Sequence, residues 1–312
     1  MIPERRALLR QSIASGLDYV LGLQAGDGCW TDWELPPGSS STWTTAYVGY
    51  QLRSLPADDR VRAADPIRLA ARWLLGKQFA EGGWGYNEAV EADADSTAYA
   101  ILLAASAGET PLEEAFTRLV AFQCPDGGFS TYRFQGSRNS WVASHADVTP
   151  IVLFAFLTKY PRGSSVVSRG LDYVLQNRTS AGLWNSFWWD SCLYSTEANL
   201  SLLCALGIPI NTGETKKSLL REKPRSAYEI ALLVSSLSSL DADASAWESV
   251  EQLTAQQQSD GSWKSEPSLR VTRRDCYEPW RCANPGALFA DPKRLFTSAT
   301  VIAALSKVYA RM

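Results

Sequence analysis

Two carboxyl side chains, those of Asp93 and Asp95, have the residue type and the spacing that acid catalysis requires. They lie in the run Asp93-Ala94-Asp95-Ser96-Thr97, at the start of an apolar stretch. In a dry site, two carboxyl groups this close cannot both ionise cheaply, so one keeps its proton. We expect Asp95 to hold that proton, and Ser96, Thr97 and the free amides of a helix N-terminus to stabilise the anion left after proton transfer. The alternative is that both aspartates only cap a helix.

The sequence is rich in aromatic residues, with 12 Trp, 12 Tyr and 10 Phe among 312 residues. A proton placed on a carbon–carbon double bond creates a carbocation, which needs shielding from water and stabilisation without a nucleophile. Aromatic faces provide both, at about 0.5–2 kcal/mol for each ring. Eight aromatic side chains near the starts of apolar helices could line such a cavity or fill the core: Trp43, Tyr47, Tyr99, Trp141, Trp188, Trp189, Tyr194 and Phe296.

A basic segment lies near the end of the chain. It contains Arg270, Arg273 and Arg274, and more basic residues follow between 281 and 294. Arginine side chains bind anionic oxygens through two parallel hydrogen bonds. We expect these three arginines to bind an anionic group such as a diphosphate. The alternative is a solvated basic loop.

The composition excludes several classes of protein. The chain is 46% hydrophobic, which suffices for a sizeable core and excludes a disordered chain. The formal net charge is −3 and the pI is near 5.4, so no general positive field is available to hold nucleic acid. No apolar run approaches the length of a membrane span, so we expect no transmembrane segment. Peripheral contact with a membrane stays open.

The cysteines and the N-terminal segment bear on location. The first residues lack the pattern of a secretory signal peptide. Six cysteines, at positions 29, 124, 192, 204, 276 and 282, show no paired metal spacing. We expect free thiols in a reducing compartment, and therefore a cytoplasmic protein. The oligomeric state is not predicted.

A short repeat recurs along the chain: Gln, two residues, an acidic residue, Gly, one residue, and an aromatic residue. Four copies occupy 24–30, 78–84, 123–129 and 257–263, and a looser copy from Gln176 to Trp184 has two extra residues and no acid. Each copy follows a segment with apolar residues at helical spacing, so we expect the Gln to close a helix and the Gly to form a turn. The Gln and aromatic side chains are interpreted as structural.

Two kinds of helix alternate between these turns. Amphipathic helices are predicted at 5–23, 65–77, 112–123, 165–176, 214–221 and 246–257. Nearly all-apolar helices are predicted at 43–54, 95–107, 147–158, 195–206, 226–239 and 297–309. A helix that is apolar on every side must be buried on every side. The alternation therefore predicts an all-α (α/α)6 toroid, with an outer ring of helices around an inner ring, and the absence of a linker predicts one domain over 1–312.

With these repeats, the chain resembles the squalene-hopene cyclase and prenyltransferase superfamily, whose Gln-Trp repeats decorate α/α barrels. The run 93–98 resembles the Asp-x-Asp-Asp-Thr-Ala motif of the class II terpene cyclases in that superfamily. The resemblance implies that Asp95 protonates an alkene or epoxide, and Ser96 stands where the family has Asp or Thr. The segment 145–150 is similar to the family's Asp-Val-Thr segment beside the acid, so Asp147 and His145 are expected to help orient Asp95. Ile151 stands where hopene cyclases have a His.

The resemblance implies a class II terpene cyclase, in which protonation starts the reaction of a linear isoprenoid. The expected substrate is a C15–C20 prenyl diphosphate or a prenylated intermediate. Such a reaction requires no metal cofactor, and Mg²⁺ would enter only with a diphosphate. Ser96 and the aromatic and arginine side chains named above are expected to bind the substrate.

Three other functions remain as alternatives. The chain could be a non-catalytic toroid that binds a prenylated molecule or a partner protein. It could be a cyclase with a non-terpenoid substrate, since one fold hosts many chemistries. A zinc prenyltransferase would need a carboxylate, a thiolate and an imidazole on one Zn²⁺, for which Asp275, Cys276 and His145 are available.

Overall fold

The computed structural model describes residues 2–133, 135–136, 138–241 and 243–312. In these residues, two sets of six α-helices alternate along the chain. The first set is α1 (Ile2–Gly22), α3 (Ala57–Leu75), α5 (Glu113–Val120), α7 (Ser165–Gln176), α9 (Thr212–Leu219) and α11 (Asp243–Ala255). The second set is α2 (Thr42–Gln51), α4 (Ala94–Ser106), α6 (Thr149–Leu157), α8 (Leu193–Ala205), α10 (Ala227–Ser239) and α12 (Leu295–Ala310).

The second set forms a closed inner ring. Each inner helix contacts the next one along the chain, from α2 to α12, and α12 contacts α2. The first set packs around this ring, and α1 contacts α12, α3 and α11. The predicted (α/α)6 toroid is confirmed. The largest error in the predicted bounds is at α3, which begins at Ala57 and includes Pro66.

Burial accounts for the two kinds of helix. The inner helix α4 buries consecutive side chains from Ser96 to Ala104, so it has neighbours on every side. The outer helix α7 buries one face, which includes Val167, Leu171 and Val174. This is the expected difference between an all-apolar and an amphipathic helix. Within the described residues, no helix is both long enough and apolar enough to span a membrane.

The repeat tryptophans join each turn to the preceding outer helix. Four indole Nε1 atoms each donate a hydrogen bond of 2.6–2.9 Å to a carbonyl oxygen ten residues earlier: Trp30 to Val20, Trp84 to Leu74, Trp184 to Val174 and Trp263 to Leu253. These carbonyls belong to the last turns of outer helices, where intrahelical partners are missing. The four rings are at most 1% exposed. The repeat aromatics are therefore structural, as predicted.

Three repeat glutamines, Gln24, Gln123 and Gln257, join their turns to the following outer helix, whereas the buried amide of Gln78 makes no hydrogen bond within the described residues. Gln24 Nε2 donates to the carbonyl oxygen of Pro66 in α3 at 2.9 Å. Gln257 closes the ring, because its Nε2 donates to the Ser12 carbonyl oxygen in α1 and its Oε1 accepts from Ser12 Oγ. The glycine of this turn, Gly261, has a φ of +89°, and a Cβ there would lie 2.2 Å from the Ser15 carbonyl oxygen. Only glycine fits so close to the neighbouring helix.

In the looser repeat, the residue at the position of the glutamine is Arg178, not Gln176. Arg178 lies six residues before Trp184, the spacing of Gln24 and Trp30. Its guanidinium donates to the Gly182 carbonyl oxygen at 3.2 Å and to Thr215 Oγ1 in α9. The predicted two-residue insertion is therefore wrong, because an arginine takes the place of the glutamine.

We expect the Gln257→Ala substitution to lower the free energy of unfolding by about 1–3 kcal/mol, because it removes two hydrogen bonds to Ser12 that close the ring and one to Gly261 within the turn. Urea unfolding followed by circular dichroism measures the change. Gln256→Ala is the matched control, since that side chain is exposed. Equal stability of the two variants would contradict a closing role for Gln257.

Two β-hairpins, which we did not predict, cover the end of the ring where the inner helices begin. Strand β1 (Asp32–Leu35) pairs antiparallel with β2 (Gly38–Ser40), and β3 (Leu269–Thr272) pairs antiparallel with β4 (Gly286–Phe289). Strand β1 also contacts β4. The two hairpins therefore form one cover, although they are far apart in sequence.

One cysteine pair forms a disulfide. Cys276 and Cys282 are joined within the loop between β3 and β4. The expectation of free thiols is wrong for this pair and holds for the four other cysteines. The disulfide closes a short loop in the cover over the ring.

Candidate active site

Asp93 and Asp95 lie at the start of the inner helix α4. Asp93 is the N-cap residue, and its carboxyl group accepts hydrogen bonds from the Ser96 backbone N at 2.7 Å and from Ser96 Oγ at 2.8 Å. Asp95 lies in the first turn, and its side chain borders a cavity inside the ring. Asp93 is 3% exposed, whereas Asp95 is partly exposed. The geometry fixes Asp93 and leaves Asp95 accessible from the cavity.

Burial raises the pKa of both carboxyl groups. The two groups interact closely and together retain a proton more readily than isolated aspartates do. The hydrogen bonds from Ser96 lower the pKa of Asp93, whereas burial and the contact with Asp95 raise it, so the two carboxyl groups share a proton that either of them can carry. The indole Nε1 of Trp43 makes no hydrogen bond within the described residues, and it can stabilise the Asp95 anion, which lowers the pKa of Asp95. Asp95 can thus hold a proton at rest and be stabilised after losing it.

The cavity beside Asp95, which we call the acid cavity, has a volume of about 90 Å³. Leu35 of β1 and Leu269 and Val271 of β3 cover it on the hairpin side. Three carboxyl groups face it, those of Asp93, Asp95 and Asp147. The remainder of the wall is largely aromatic: Trp43, Tyr86, Tyr132, Trp188, Trp189 and Tyr194. An acidic side chain, a small cavity and a set of aromatic faces are therefore brought together.

Asp147 is the third carboxyl group of the acid cavity. Its Oδ2 accepts hydrogen bonds from the backbone N of Phe187 at 2.8 Å and of Trp188 at 2.7 Å. Its Oδ1 is buried and has no hydrogen-bond partner among the described residues. Burial raises the pKa of Asp147 to about 6. Asp147 thus holds the loop that carries Trp188 and presents a second polar atom near Asp95.

Because the pKa of Asp147 is raised, we expect the free energy of unfolding to fall as the pH rises from about 4 to above 6. The folded state binds the proton of Asp147 more tightly than the unfolded state does, so folding is favoured below the unfolded pKa and loses that contribution above the folded one. We expect Asp147→Asn to be more stable than the wild type at pH 8, by on the order of 2 kcal/mol, and equal to it at pH 4. An amide oxygen can still accept both backbone hydrogen bonds. Urea unfolding at the two pH values measures the difference in free energy of unfolding between the variant and the wild type. A difference that does not change with pH would exclude the titration of Asp147 as its cause.

A second cavity, which we call the funnel, occupies the other half of the ring. Its volume is about 840 Å³, and it extends from Tyr47 and Tyr99 in the middle of the ring to Lys307 and Arg311 at the end of α12. Tyr194 borders both cavities, and its hydroxyl lies 2.9 Å from the Tyr99 hydroxyl. This hydrogen-bonded tyrosine pair separates the acid cavity from the funnel.

The predicted aromatic residues fall into distinct places. Trp43, Trp188 and Trp189 line the acid cavity, Tyr47 and Tyr99 line the funnel, and Tyr194 lines both. Phe296 lines neither cavity, because it is buried and stacked on Tyr47 with ring centroids 3.6 Å apart. Trp141 borders a separate groove beside Tyr132 and Arg274. Six of the eight side chains therefore face the two cavities within the ring.

No family profile matches this chain. A structure of the type II terpene cyclase MstE from Scytonema, a variant without ligand, is 25% identical with a TM-score of 0.86, and the match covers 100% of both chains. Another MstE variant, in complex with its substrate geranylgeranyl dihydroxybenzoate, is 24% identical with a TM-score of 0.87 and the same coverage. In fold, the chain is similar to the type II terpene cyclases.

Two curated relatives, both named as diphosphate synthases, match shorter segments of this chain. Terpentedienyl-diphosphate synthase of Kitasatospora griseola is 38% identical over 101 residues, which are 31% of this chain and 19% of that protein. Drimenyl diphosphate synthase of Streptomyces showdoensis is 29% identical over 161 residues, which are 49% of this chain and 30% of that protein. Each match spans less than a third of the relative's own length.

In this terpene cyclase-like chain, His145 does not contact the acid pair. Its Nε2 lies 2.8 Å from the Ser140 carbonyl oxygen, its Nδ1 lies 3.0 Å from Thr131 Oγ1, and its ring stacks on Phe187. Burial lowers the pKa of His145 to about 4, so the ring is neutral at pH 7. The expectation that His145 orients Asp95 directly is wrong. His145 positions Thr131, which in turn accepts a hydrogen bond from Trp188 Nε1.

The three arginines of the basic segment do not converge on one ligand. Arg270 is buried and pairs with Asp190 at 2.8 Å, whereas Arg273 is exposed and pairs with Asp275 at 2.7 Å. Arg274 lies over the Trp141 ring, 4.7 Å from its centroid. The expected anion clamp is therefore wrong. Strand β3 explains the failure, because it directs Arg270 to the acid cavity and the loop after it directs the other two outward.

The zinc site proposed as an alternative is not formed. Cys276 is in the disulfide with Cys282, and the ring of His145 is engaged with Ser140 and Thr131. Among the described residues, no group of three or more His, Cys, Asp or Glu side chains is arranged to hold a metal ion.

Several residues of the acid cavity were not predicted. Tyr86 and Tyr132 line it from the loops that follow two of the repeat turns. Each lies two or three residues after the repeat aromatic, Trp84 or Phe129. The signal that could have found them is a tyrosine two or three residues after the repeat aromatic. No comparable local signal marks Leu269 or Val271, which reach the cavity through the tertiary position of β3.

Proposed function

We propose that the chain is a class II terpene cyclase that uses Asp95 as its acid. The Asp95 carboxyl transfers its proton to the terminal carbon–carbon double bond of a linear isoprenoid. The π electrons form the new C–H bond, Asp95 becomes an anion, and a tertiary carbocation remains. Successive double bonds then attack the cation to close rings, and loss of a proton or capture of water ends the reaction. The accessible Asp95 carboxyl in a small, aromatic-lined cavity is the observation that carries this proposal.

The wall of the acid cavity suits a cationic intermediate. Trp189 stacks with Tyr194 at a centroid distance of 4.5 Å, and Trp43 lies 6.4 Å from Trp189. The negative faces of such rings stabilise a cation by about 0.5–2 kcal/mol each. The hairpin cover excludes water, which would otherwise trap the cation at once.

The proposed substrate is a linear isoprenoid of 15 to 20 carbons with a polar head group. The MstE structure carries geranylgeranyl dihydroxybenzoate as substrate, and the two curated relatives are named as diphosphate synthases. The proton transfer itself needs no metal ion, and Mg²⁺ would accompany only a diphosphate head group. A cytoplasmic location remains part of the proposal.

The two cavities must connect when substrate binds. A cavity of roughly 150 Å³ holds one benzene molecule, so the acid cavity of about 90 Å³ has room only for the end of an isoprenoid. The funnel has room for the remainder of the chain. Rotation of Tyr99 or Tyr194, whose hydroxyl groups bond to each other, would open the path between them.

The direct test is incubation in D2O with farnesyl diphosphate, geranylgeranyl diphosphate and geranylgeranyl dihydroxybenzoate, followed by mass spectrometry. Protonation by Asp95 predicts a cyclic product with one deuterium from the solvent and an intact head group. Loss of the head group without deuterium would indicate ionisation of a diphosphate instead. Absence of any cyclic product from all three compounds would reject the proposal.

A non-catalytic binding toroid is the second candidate, and the small acid cavity favours it. Calorimetry separates the two functions. Saturable binding of these compounds to the wild-type chain without turnover would support the binding function.

A further inference from the structure

We infer that the mouth of the funnel binds a carboxylate head group, so that the substrate class is a prenylated carboxylic acid rather than a prenyl diphosphate. This inference rests on the proposed function, because it assigns the substrate of the same reaction. The juxtaposition that supports it is a set of cations at the end of the ring opposite to Asp95. The isoprenoid tail would reach the acid while the head group stays at the mouth.

The length of the ring suits this arrangement. Lys307 lies in the last turn of α12, whereas Phe296 near the start of that helix packs beside Trp43 and Trp189 at the acid end. Eleven residues of helix separate Phe296 from Lys307, which is roughly 17 Å at 1.5 Å per residue. An isoprenoid of 15 to 20 carbons can span this distance.

Lys307 belongs to a polar cluster in an otherwise largely apolar wall. Its Nζ donates to the hydroxyls of Ser239 at 2.7 Å and Ser235 at 3.1 Å, and lies 3.6 Å from Glu197 Oε1. The hydroxyls of Ser201 and Ser235 also donate to Glu197, each at 2.7 Å. Both charged side chains remain partly exposed to the funnel, Lys307 at 30% and Glu197 at 23%. Because Nζ also donates to the Ser201 hydroxyl at 3.3 Å, its three N–H groups are engaged, and the cluster holds the positive charge of Lys307 in a fixed position beside the funnel.

Arg53 supplies a second cation. Its guanidinium lies 3.4 Å from the centroid of the Tyr50 ring and donates to the Tyr50 carbonyl oxygen. In the described part of the chain, no carboxylate forms an ion pair with it. Both residues border the funnel at the end of α2. An anionic head group can therefore bind Arg53 without displacing an ion-pair partner.

The charge at the funnel suits one negative charge rather than three. Three cations, Arg53, Lys307 and Arg311, and two carboxylates, Glu197 and Asp241, are the charged residues described in its wall. A carboxylate neutralises the net charge of +1 that remains. A diphosphate would leave excess negative charge close to the carbonyl ends of the inner helices, whose dipoles disfavour anions. The funnel would thus favour a carboxylate over a diphosphate by charge.

The test measures binding by calorimetry, in the wild type and in Asp95→Asn, so that turnover is not required. The probes are geranylgeranyl dihydroxybenzoate, its methyl ester, which lacks the charge, and geranylgeranyl diphosphate. We expect the free acid to bind about tenfold more tightly than either of the others. Equal affinity for acid and ester, or tighter binding of the diphosphate, would overturn the inference.

Three variants locate the interaction. Lys307→Met and Arg53→Gln should each weaken binding of the acid about tenfold and leave binding of the ester unchanged. Glu197→Gln should strengthen binding of the acid, because it removes a like charge and keeps the acceptor for Ser201 and Ser235. Lys217→Met, on the outer helix α9, is the control. Loss of affinity for the acid in Glu197→Gln would show a merely structural cluster and would contradict the inference.

The two proposals fail in different ways. If the wild type binds the acid selectively and forms no cyclic product, the head-group site stands and the cyclase function fails. If cyclic product forms with equal efficiency from acid, ester and diphosphate, the cyclase function stands and the head-group site fails.

Discussion

Asp95→Asn is expected to reduce the rate of cyclisation by about 10³-fold or more. The amide cannot donate a proton to an unactivated double bond, and Asp93 is fixed by Ser96 with both oxygens engaged. The substitution preserves size and does not touch the wall that binds the isoprenoid, so affinity for the substrate should change little. Single-turnover product formation and calorimetric binding measure the two quantities.

The control for this variant is Asp65→Asn, at an exposed carboxylate of the outer helix α3. It should leave the rate unchanged. An active Asp95→Asn together with an inactive Asp147→Asn would transfer the role of acid to Asp147, whose Oδ1 also faces the acid cavity without a partner.

Trp263→Ala is expected to lower the free energy of unfolding by about 3–5 kcal/mol. The ring is fully buried, its Nε1 donates to the Leu253 carbonyl oxygen, and it packs against Gly16 of α1. Truncation leaves a cavity at the joint between the last and first hairpins and removes the partner of a helix-terminal carbonyl. Urea unfolding followed by circular dichroism measures the loss.

Trp263→Phe separates the two contributions. It keeps most of the ring and loses only the Nε1 hydrogen bond, so we expect a cost of about 1–2 kcal/mol. The chain itself contains a phenylalanine, Phe129, at the equivalent position of another repeat. Trp280→Ala is the control, since that side chain is 44% exposed. A cost below about 1 kcal/mol for Trp263→Ala would contradict the structural role of the repeat.

The sequence predicted the parts of the fold that depend on local pattern. The alternation of apolar and amphipathic helices predicted the two rings, because burial on all sides or on one side leaves a periodic signal. The run at Asp93 and Asp95 was predicted at the start of α4, because a capping residue before an apolar helix is also a local signal.

The sequence could not predict contacts that depend on tertiary position. The hairpins are three or four residues per strand and carry little periodicity. The partner of Arg270 is Asp190, 80 residues away, and nothing near Arg270 distinguishes a buried ion pair from an anion site. His145 likewise lies close to Asp147 in sequence, while its ring turns to Ser140 and Thr131. A local sequence pattern shows neither which distant residue a side chain contacts nor the direction in which that side chain points.

The common direction of the inner helices has a consequence for how charge moves during cyclisation. Trp43, Asp95 and Tyr194, near the starts of α2, α4 and α8, face the acid cavity, and the ends of α8 and α12 reach the mouth of the funnel. The aligned peptide groups therefore set up an electric gradient along the axis. In the proposed reaction, the newly formed Asp95 anion would lie at the end of the ring where the helix dipoles favour negative charge, while each ring closure would move the positive charge towards the other end. The helix dipoles would thus favour ring closure that starts at the end of the isoprenoid beside Asp95 and proceeds towards its head group.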